Sequence, residues 1–185
     1  MTDLIINPNI MPISLLTLSP EEIEDRLEAQ VNALNQSHDG ILVKILLAAE
    51  AHINENPGAA LNIYLVGGAV RDLILGREVR DLDVVIEGEI TAVSDRLSDI
   101  EWQYYDRFMT ASGSLDTGEI DLITARSERY EAPGQLPVVE KGTIGEDLRR
   151  RDFTVNAMAL RLTLLDYVAP ENCSDPGRWI LTELL

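Results

Sequence analysis

The N-terminal third of the chain shows apolar residues at helical spacing. The first stripe recurs every three or four residues, at Ile23, Leu27, Val31 and Leu34. Ser19 can cap this helix, Pro20 suits its first position and Glu22 completes a capping box. A second stripe follows a short polar break and consists of Ile41, Leu42, Ile45, Leu46, Ala49 and Ile53. We predict an irregular leader over residues 1–18 and two amphipathic helices, which together form an appendage over residues 1–58.

The pattern changes after Pro57-Gly58. Residues 61–66 form a short apolar run, which favours a buried strand, and this run leads directly into Gly67-Gly68. Residues 69–75 have helical character, and residues 83–86 are a second run rich in β-branched side chains. The expected order is therefore strand, glycine turn, helix and strand.

The rest of the chain alternates short elements with turns. We predict, in chain order, a helix over 90–97, strands over 108–114 and 119–124, a loop over 126–142, a helix over 143–151 and a strand over 161–168. Asp116, Thr117 and Gly118 are turn residues, so the two central strands should form a hairpin. We assign residues 59–185 to one mixed α/β domain.

Composition places limits on the chemistry. The 185 residues are 45% hydrophobic and 25% charged, which is enough to bury one sizeable core. Cys173 is the only cysteine, and with two histidines the chain has no Cys/His cluster for zinc, so carboxylates must hold any metal. No apolar run approaches the roughly 20 residues that span a bilayer, and the first residues lack the basic region of a secretory signal. We therefore expect a cytoplasmic protein with no membrane partner.

The formal net charge of −17 argues against nucleic acid when taken alone, because RNA affinity depends on Lys and Arg side chains that neutralise phosphates. The positive charges are unevenly spread, however. Arg149, Arg150 and Arg151 are consecutive, and Arg126 and Arg129 lie upstream. A local positive site on an acidic body is therefore compatible with the composition.

The Gly67-Gly68 turn is a candidate phosphate site. Glycines between a strand and a helix let backbone N–H groups approach a phosphate at the helix N-terminus, and Arg71 lies one turn along as a charged partner. The alternative is a tight turn whose glycines only permit a positive φ.

Asp81 and Asp83 are candidate metal ligands. Positions i and i+2 of a strand point to one face, where two carboxylates repel each other and favour a shared divalent cation. Asp121 is a third candidate, because it interrupts an otherwise apolar strand. Solvated surface carboxylates remain the alternative at all three positions, since acidic residues are abundant in this chain.

Three segments in a fixed order resemble the signatures of class II CCA-adding enzymes and bacterial poly(A) polymerases, which are tRNA nucleotidyltransferase-type enzymes. The first is Leu65-Val66-Gly67-Gly68-Ala69-Val70-Arg71-Asp72, followed by Gly76 and Asp81-x-Asp83. The second is the strand Ile120-Asp121-Leu122-Ile123 with the loop that follows it to Pro137. The third is Arg150-Arg151-Asp152-Phe153-Thr154-Val155-Asn156-Ala157-Met158-Ala159. Together they span residues 61 to 160.

The resemblance implies a fold, an activity and site residues. The fold is the nucleotidyltransferase head of the polymerase β superfamily, a mixed sheet of about five strands with helices. The activity is Mg²⁺-dependent addition of nucleotides from CTP or ATP to an RNA 3′ end, that of tRNA in the resembling enzymes. The catalytic residues implied are Asp81 and Asp83, which bind the metal, and Asp121, which helps to activate the RNA 3′-hydroxyl. The nucleotide-binding residues implied are Gly67, Gly68, Arg71, Asp72, Arg150, Arg151, Asp152 and Asn156.

The chain also departs from the family pattern. Cys173 to Trp179 only partly matches a family turn, and Phe108-Met109-Thr110 replaces Phe-Gly-Thr. Nothing in the sequence corresponds to the family's base-reading segment or its tRNA-holding domains. We therefore expect either a protein partner that supplies them or a relaxed choice of nucleotide. A partner would dock on the apolar patch near Trp179 to Leu185, where Ile180, Leu181, Leu184 and Leu185 would otherwise be exposed. The alternative functions are a catalytically weak nucleotide- or RNA-binding regulatory module and an acidic protein-interaction domain.

Overall fold

A computed structural model describes residues 19–129, 138–166 and 178–185. Its helices are α1 (Pro20–Ser37), α2 (Ile41–Glu55), α3 (Gly68–Ile74), α4 (Thr91–Ser94) and α5 (Ile144–Arg149). Its strands are β1 (Asn62–Val66), β2 (Asp81–Glu87), β3 (Trp102–Tyr105), β4 (Thr110–Leu115), β5 (Gly118–Thr124), β6 (Arg126–Arg129), β7 (Val138–Lys141), β8 (Ala159–Asp166) and β9 (Arg178–Leu184). Within these ranges, no helix is both long enough and apolar enough to cross a membrane.

Seven strands form one mixed sheet in the order β3-β4-β5-β2-β1-β8-β9. Strands β2 and β5 are parallel and every other neighbouring pair is antiparallel. The mixed α/β fold class is confirmed, but the sheet has seven strands where about five were expected. The two additional strands are the edge strands β3 and β9, whose sequences do not show a clean alternation of apolar and polar residues.

The two faces of this sheet have different coverings. Leu82, Val84 and Ile86 of β2 point to the face covered by α1 to α4 and belong to the main hydrophobic core. Val85 points the other way, into a smaller cluster that includes Val66 of β1 and residues of α5. Because side chains alternate along a strand, Asp83 lies on the face of this smaller cluster. The less covered face is therefore the one that carries the candidate carboxylates.

The first N-terminal helix begins with its predicted cap, and both helices pack into the core. Ser19 and Glu22 form both hydrogen bonds of a capping box at the start of α1. Leu27 and Val31 of α1 are fully buried in the same core as the sheet, and so is Ile45 of α2. The predicted division of the chain at residue 58 stays a prediction, and the leader over 1–18 lies outside the described residues.

The segment predicted as a loop over 126–142 contains a hairpin. Strands β6 and β7 pair antiparallel, with Arg126 opposite Lys141 and Arg129 opposite Val138, and form a separate two-stranded sheet. The loop prediction is wrong at both ends, because these strands are polar and gain their order from pairing with each other. Residues 130–137, which carry Pro133, Gly134 and Pro137, lie outside the described residues.

Strand β9 corrects the expected docking surface. Ile180 was expected to be exposed, but it is fully buried and belongs to the main core. The side chain of Asn32 in α1 accepts a hydrogen bond from Ile180 N–H at 2.9 Å and donates one to the carbonyl oxygen of Ile180 at 2.8 Å. The amide thus pairs with the backbone on the edge of β9 as a neighbouring strand would. Leu184 and Leu185 are partly exposed, as expected.

Candidate active site

The three aspartates singled out in the sequence lie on one face of the sheet, in two neighbouring strands. Asp83 of β2 is the register partner of Asp121 in the parallel strand β5. Asp81 lies two residues before Asp83 and is exposed, whereas Leu82 between them is 1% exposed and points into the main core. Strand alternation therefore presents both carboxylates of β2 beside that of β5.

Electrostatic interactions at Asp83 show how close these groups are. Burial raises the pKa of Asp83 above its ordinary value, and the negative charges of Asp121 and Asp81 raise it further. Arg151 acts in the opposite direction and lowers this pKa. The site thus gathers more negative charge than its own arginine offsets, and a bound divalent cation would relieve the repulsion.

The residues present fit a magnesium ion held partly by substrate. Mg²⁺ is usually bound through one or two carboxylates, with water and phosphate oxygens completing its octahedron. Within the described ranges, no three or more His, Cys, Asp or Glu side chains are grouped so that they could hold a metal by themselves. The pair Asp81 and Asp83 supplies the two carboxylates, so the remaining ligands would come from a triphosphate and water.

The glycine turn lets Arg151 and Asp83 lie close against the backbone. Gly67 has φ 66° and ψ −129° and directly precedes α3. A Cβ atom at this position would lie 3.1 Å from Nη1 of Arg151 and 3.5 Å from Oδ2 of Asp83. The N–H of Gly67 donates to the carbonyl oxygen of Met158 at 3.2 Å. The absence of a side chain at Gly67 therefore lets a cation and a carboxylate lie side by side against the turn, while the N–H of Gly67 is engaged within the fold.

Arg71 is held above the start of α3. Its Nε and Nη2 donate to the two carboxylate oxygens of Asp72 at 2.9 and 2.8 Å, and its Nη1 donates to Oδ1 of Asn156 at 3.0 Å. The guanidinium folds back over Gly68, where a Cβ atom would lie 3.4 Å from Nη2. Arg71, Asp72 and Asn156, all singled out in the sequence, are thus brought into one hydrogen-bonded group beside the turn.

Arg150 and Arg151 share one buried partner that the sequence analysis missed. Asp147 of α5 is 0% exposed and accepts hydrogen bonds from both guanidinium groups. Its positions three and four residues before the arginines are the signal that could have identified it, because such residues are neighbours on a helix. Arg151 continues towards Gly67, whereas Arg150 also contacts Glu128 of β6. Asp152, between α5 and Asn156, is exposed.

The upstream arginine Arg126 joins this group. Its Nη1 donates to the carbonyl oxygen of Phe108 at 2.9 Å, and its Nε lies 3.7 Å from Oε1 of Glu128. Burial lowers the pKa of Arg126, and the nearby charge of Arg150 lowers it further. The local concentration of arginines inferred from the sequence is therefore present on an acidic protein.

An open cleft of about 640 Å³ borders Asp121 on its other side. Polar and aromatic side chains of β3, β4 and β5 line it, among them Tyr105, Ser112 and Glu119. Tyr105 is 48% exposed. Asp121 therefore borders open space on the side of β4.

Comparison with known proteins identifies the family. The sequence model of the poly(A) polymerase head domain matches residues 63–175, more than half of the chain. The A-adding tRNA nucleotidyltransferase of Aquifex aeolicus is 42% identical over 110 residues, which are 58% of this chain and 13% of that protein. The CC-adding tRNA nucleotidyltransferase of Deinococcus radiodurans is 40% identical over 114 residues, which are 60% of this chain and 30% of that protein.

A solved structure shows the same fold. An apo form of a CCA-adding enzyme superposes with a TM-score of 0.55 and 37% identity, and the match covers 71% of this chain and 31% of that chain. The chain thus spans less than a third of the length of each of these proteins. The residues that the family model matches include the glycine turn, the aspartates and the arginines. The chain belongs to the poly(A) polymerase head-domain family, whose matching relatives are tRNA nucleotidyltransferases.

Proposed function

We propose that this head domain catalyses Mg²⁺-dependent transfer of nucleotides from CTP or ATP to an RNA 3′ end, with tRNA as the substrate. The observation that carries the proposal is the placement of Asp83 and Asp121 as register partners, with Arg151 and the Gly67 turn beside Asp83. A nucleotidyl transfer needs this combination of carboxylates for metal and base chemistry next to cations for phosphates.

Each group has a role in this proposal. Asp81 and Asp83 hold Mg²⁺, which when bound lowers the charge repulsion between the triphosphate and the attacking oxygen. Asp121 accepts the proton of the RNA 3′-hydroxyl, which enters through the cleft lined by Tyr105 and Ser112. The attacking oxygen forms a bond to the α-phosphorus, the bond from that phosphorus to the bridging oxygen breaks, and pyrophosphate leaves in line.

The remaining singled-out residues bind the nucleotide in this proposal. Arg151, which lies beside Gly67, contacts the phosphates. Arg71 lies beside Gly68 within hydrogen-bonding distance of Asp72 and Asn156, so this group orients the guanidinium towards the triphosphate. The other members assigned to the nucleotide are Arg150 and Asp152.

The choice of tRNA, CTP and ATP is supported by the relatives. The names of the Aquifex and Deinococcus proteins describe addition of A and of CC to tRNA. Both are at least 40% identical to this chain over more than half of its length. The proposal extends those activities to the present chain.

The test is nucleotide transfer by the purified chain. It is incubated with Mg²⁺, labelled CTP or ATP, and tRNA that lacks its 3′-terminal nucleotides. We expect label to join the RNA and to be lost when EDTA removes the metal. Asp83→Asn should lower the rate by about 10² or more, because it removes a metal ligand.

Asp95→Asn is the matched control, since it removes an exposed carboxylate next to α4, on the opposite side of the sheet. It should leave transfer within about twofold of wild type. Metal-dependent triphosphate binding without any transfer would contradict the proposal and favour a regulatory nucleotide-binding module. Equal losses in Asp83→Asn and Asp95→Asn would refute the metal assignment.

A further inference from the structure

The buried carboxylate of Asp147 accepts two hydrogen bonds from each of two arginines, Arg150 and Arg151. Its side chain is fully buried in α5. Oδ1 accepts from Nε and Nη2 of Arg150 at 3.1 and 2.7 Å, and Oδ2 accepts from Nε and Nη2 of Arg151 at 3.2 and 2.9 Å. Each carboxylate oxygen therefore fixes the plane of one guanidinium group.

This arrangement determines where the third nitrogen of the Arg151 guanidinium, Nη1, points. With Nε and Nη2 bound to Asp147, Nη1 lies 3.5 Å from the carbonyl oxygen of Asn156 and 3.1 Å from a Cβ position on Gly67. An arginine side chain has many rotamers in solution, and a bidentate partner removes most of them. The side chains of Arg150 and Arg151 are 19% and 16% exposed, so solvent reaches them while Asp147 stays buried.

The arginine cluster by itself carries an excess of positive charge, although the neighbouring carboxylates of Asp83 and Asp121 make the whole site negative until a metal binds. Arg126, Arg150 and Arg151 carry three positive charges, and the carboxylates of Asp147 and Glu128 carry two negative ones. One positive charge remains, and it lies on the side of Gly67 because Arg150 and Arg126 contact Glu128. Planar guanidinium groups bind phosphate oxygens, as they bind carboxylates, through strong charge-assisted hydrogen bonds.

We propose that Asp147 is a positioning residue for nucleotide binding: it holds the guanidinium of Arg151 so that Nη1 lies at the edge of the Gly67 turn, where it contacts a phosphate group of the nucleoside triphosphate. The inference rests on the proposed function, and it adds a buried residue that touches neither substrate nor metal. Asp147 acts on the nucleotide through Arg151 and not by direct contact, which separates it from a residue that only stabilises the fold.

The test is a double-mutant cycle on the affinity for Mg²⁺–ATP, measured by calorimetry without RNA. Asp147→Asn and Arg151→Gln should each weaken binding about tenfold. The double variant should be no weaker than Arg151→Gln alone, because the effect of Asp147 passes through that side chain. Glu128→Gln is the matched control, since Glu128 contacts Arg150 and Arg126 and should change the affinity by less than about threefold.

Three outcomes would overturn the inference. Wild-type affinity in a folded Asp147→Asn variant, or independent losses that multiply in the double variant, would show that Asp147 does not act through Arg151 while the proposed function stands. No binding of Mg²⁺–ATP by the wild-type protein would overturn both.

A variant that fails to fold does not remove the test. In the Arg150→Gln background, Asp147→Asn leaves one buried cation fewer without its partner. The affinity for Mg²⁺–ATP of the Asp147→Asn, Arg150→Gln double variant is then compared with that of Arg150→Gln alone, and the same tenfold loss is expected. The wild-type protein gives an independent measure. Hydrogen exchange at Nε–H of Arg150 and Arg151, followed by NMR, should be at least about tenfold slower than at exposed Arg80, and equal rates would overturn the inference.

Discussion

At the scale of single residues, the fold destabilises the ionised form of a site carboxylate. Asp83 is the clearest case, because burial and the carboxylates of Asp121 and Asp81 all raise its pKa. A side chain with a raised pKa makes the folded state bind protons more readily than the unfolded state does. Stability from this group is then fully present below the ordinary Asp pKa and is lost as the pH rises through the folded value.

We therefore expect Asp83→Asn to raise the Tm at pH 7 in metal-free buffer, although it should lower the rate of transfer. Asparagine removes the charge at nearly constant shape. The Tm difference between the variant and wild type should shrink when thermal unfolding is repeated at pH 3, where Asp83 is protonated in both states. A lower Tm for the variant at pH 7 would show that the folded protein stabilises the ionised carboxylate of Asp83, which would contradict the prediction.

Asp121 should separate binding from turnover. Asp121→Asn should leave the Kd for Mg²⁺–ATP within about twofold of wild type and lower the single-turnover rate by about 10² or more, since its proposed role is at the attacking hydroxyl. Parallel loss of affinity and rate would instead make Asp121 a ligand of the metal in the ground state.

At the scale of elements, close contacts hold the site strands in place. Gly118 begins β5 with φ 155°, and a Cβ atom there would lie 2.1 Å from the carbonyl oxygen of Arg80, just before β2. The two parallel strands that carry the aspartates therefore start against each other without a side chain between them.

Gly118→Ala should destabilise the protein by about 2–4 kcal/mol, because the backbone at Arg80 must move as well as the φ angle. Gly58→Ala is the matched control. Gly58 has φ 99° but nothing lies within 4 Å of its Cβ position, so about 1 kcal/mol is expected from the backbone alone. Chemical denaturation measures both, and equal losses would mean that the contact with Arg80 is relieved at no cost.

The link between α1 and β9 gives a second prediction at this scale. Asn32→Ala leaves the N–H and carbonyl groups of Ile180 without their partner in a buried environment, at about 1–3 kcal/mol for each group. We expect a total loss of about 2 kcal/mol or more in the free energy of unfolding. The control, Asn56→Ala, removes an exposed hydrogen bond to the carbonyl oxygen of His52 and should cost less than about 0.5 kcal/mol.

At the scale of the whole molecule, charge opposes the proposed RNA substrate. The net charge is −17, and each of the site arginines Arg71, Arg150 and Arg151 already has a carboxylate partner. Few phosphates can therefore be neutralised, so few counterions are released on binding.

We expect this chain to bind tRNA with a Kd no tighter than about 10⁻⁵ M at 0.15 M salt, with a shallow slope of log K against log salt of about −1 to −2. Fluorescence anisotropy over a salt series measures both values. A nanomolar Kd or a slope steeper than about −4 would reveal an RNA surface that the described residues do not show.

Local periodicity was enough to predict much of the molecule. The apolar stripes predicted α1 and α2, and the alternation of Asp81, Leu82 and Asp83 placed two carboxylates on one face. These features depend on the 3.6- and 2-residue periods of single elements, which neighbouring residues determine. The polar pair β6 and β7 and the edge strand β9 lack such a period, and they were missed for that reason.

The tertiary structure alone decided which distant groups meet. The parallel pairing of β2 with β5 brings Asp121 beside Asp83, and the path of α5 brings Arg151 to Gly67. It also buries Asp147 beneath two arginines and brings the side chain of Asn32 to the backbone of Ile180 at the edge of the sheet. No local pattern encodes these contacts, because strand pairing and side-chain burial depend on how the whole core is filled. The sequence by itself determined the candidate residues, and packing determined their shared geometry and the partners that hold them.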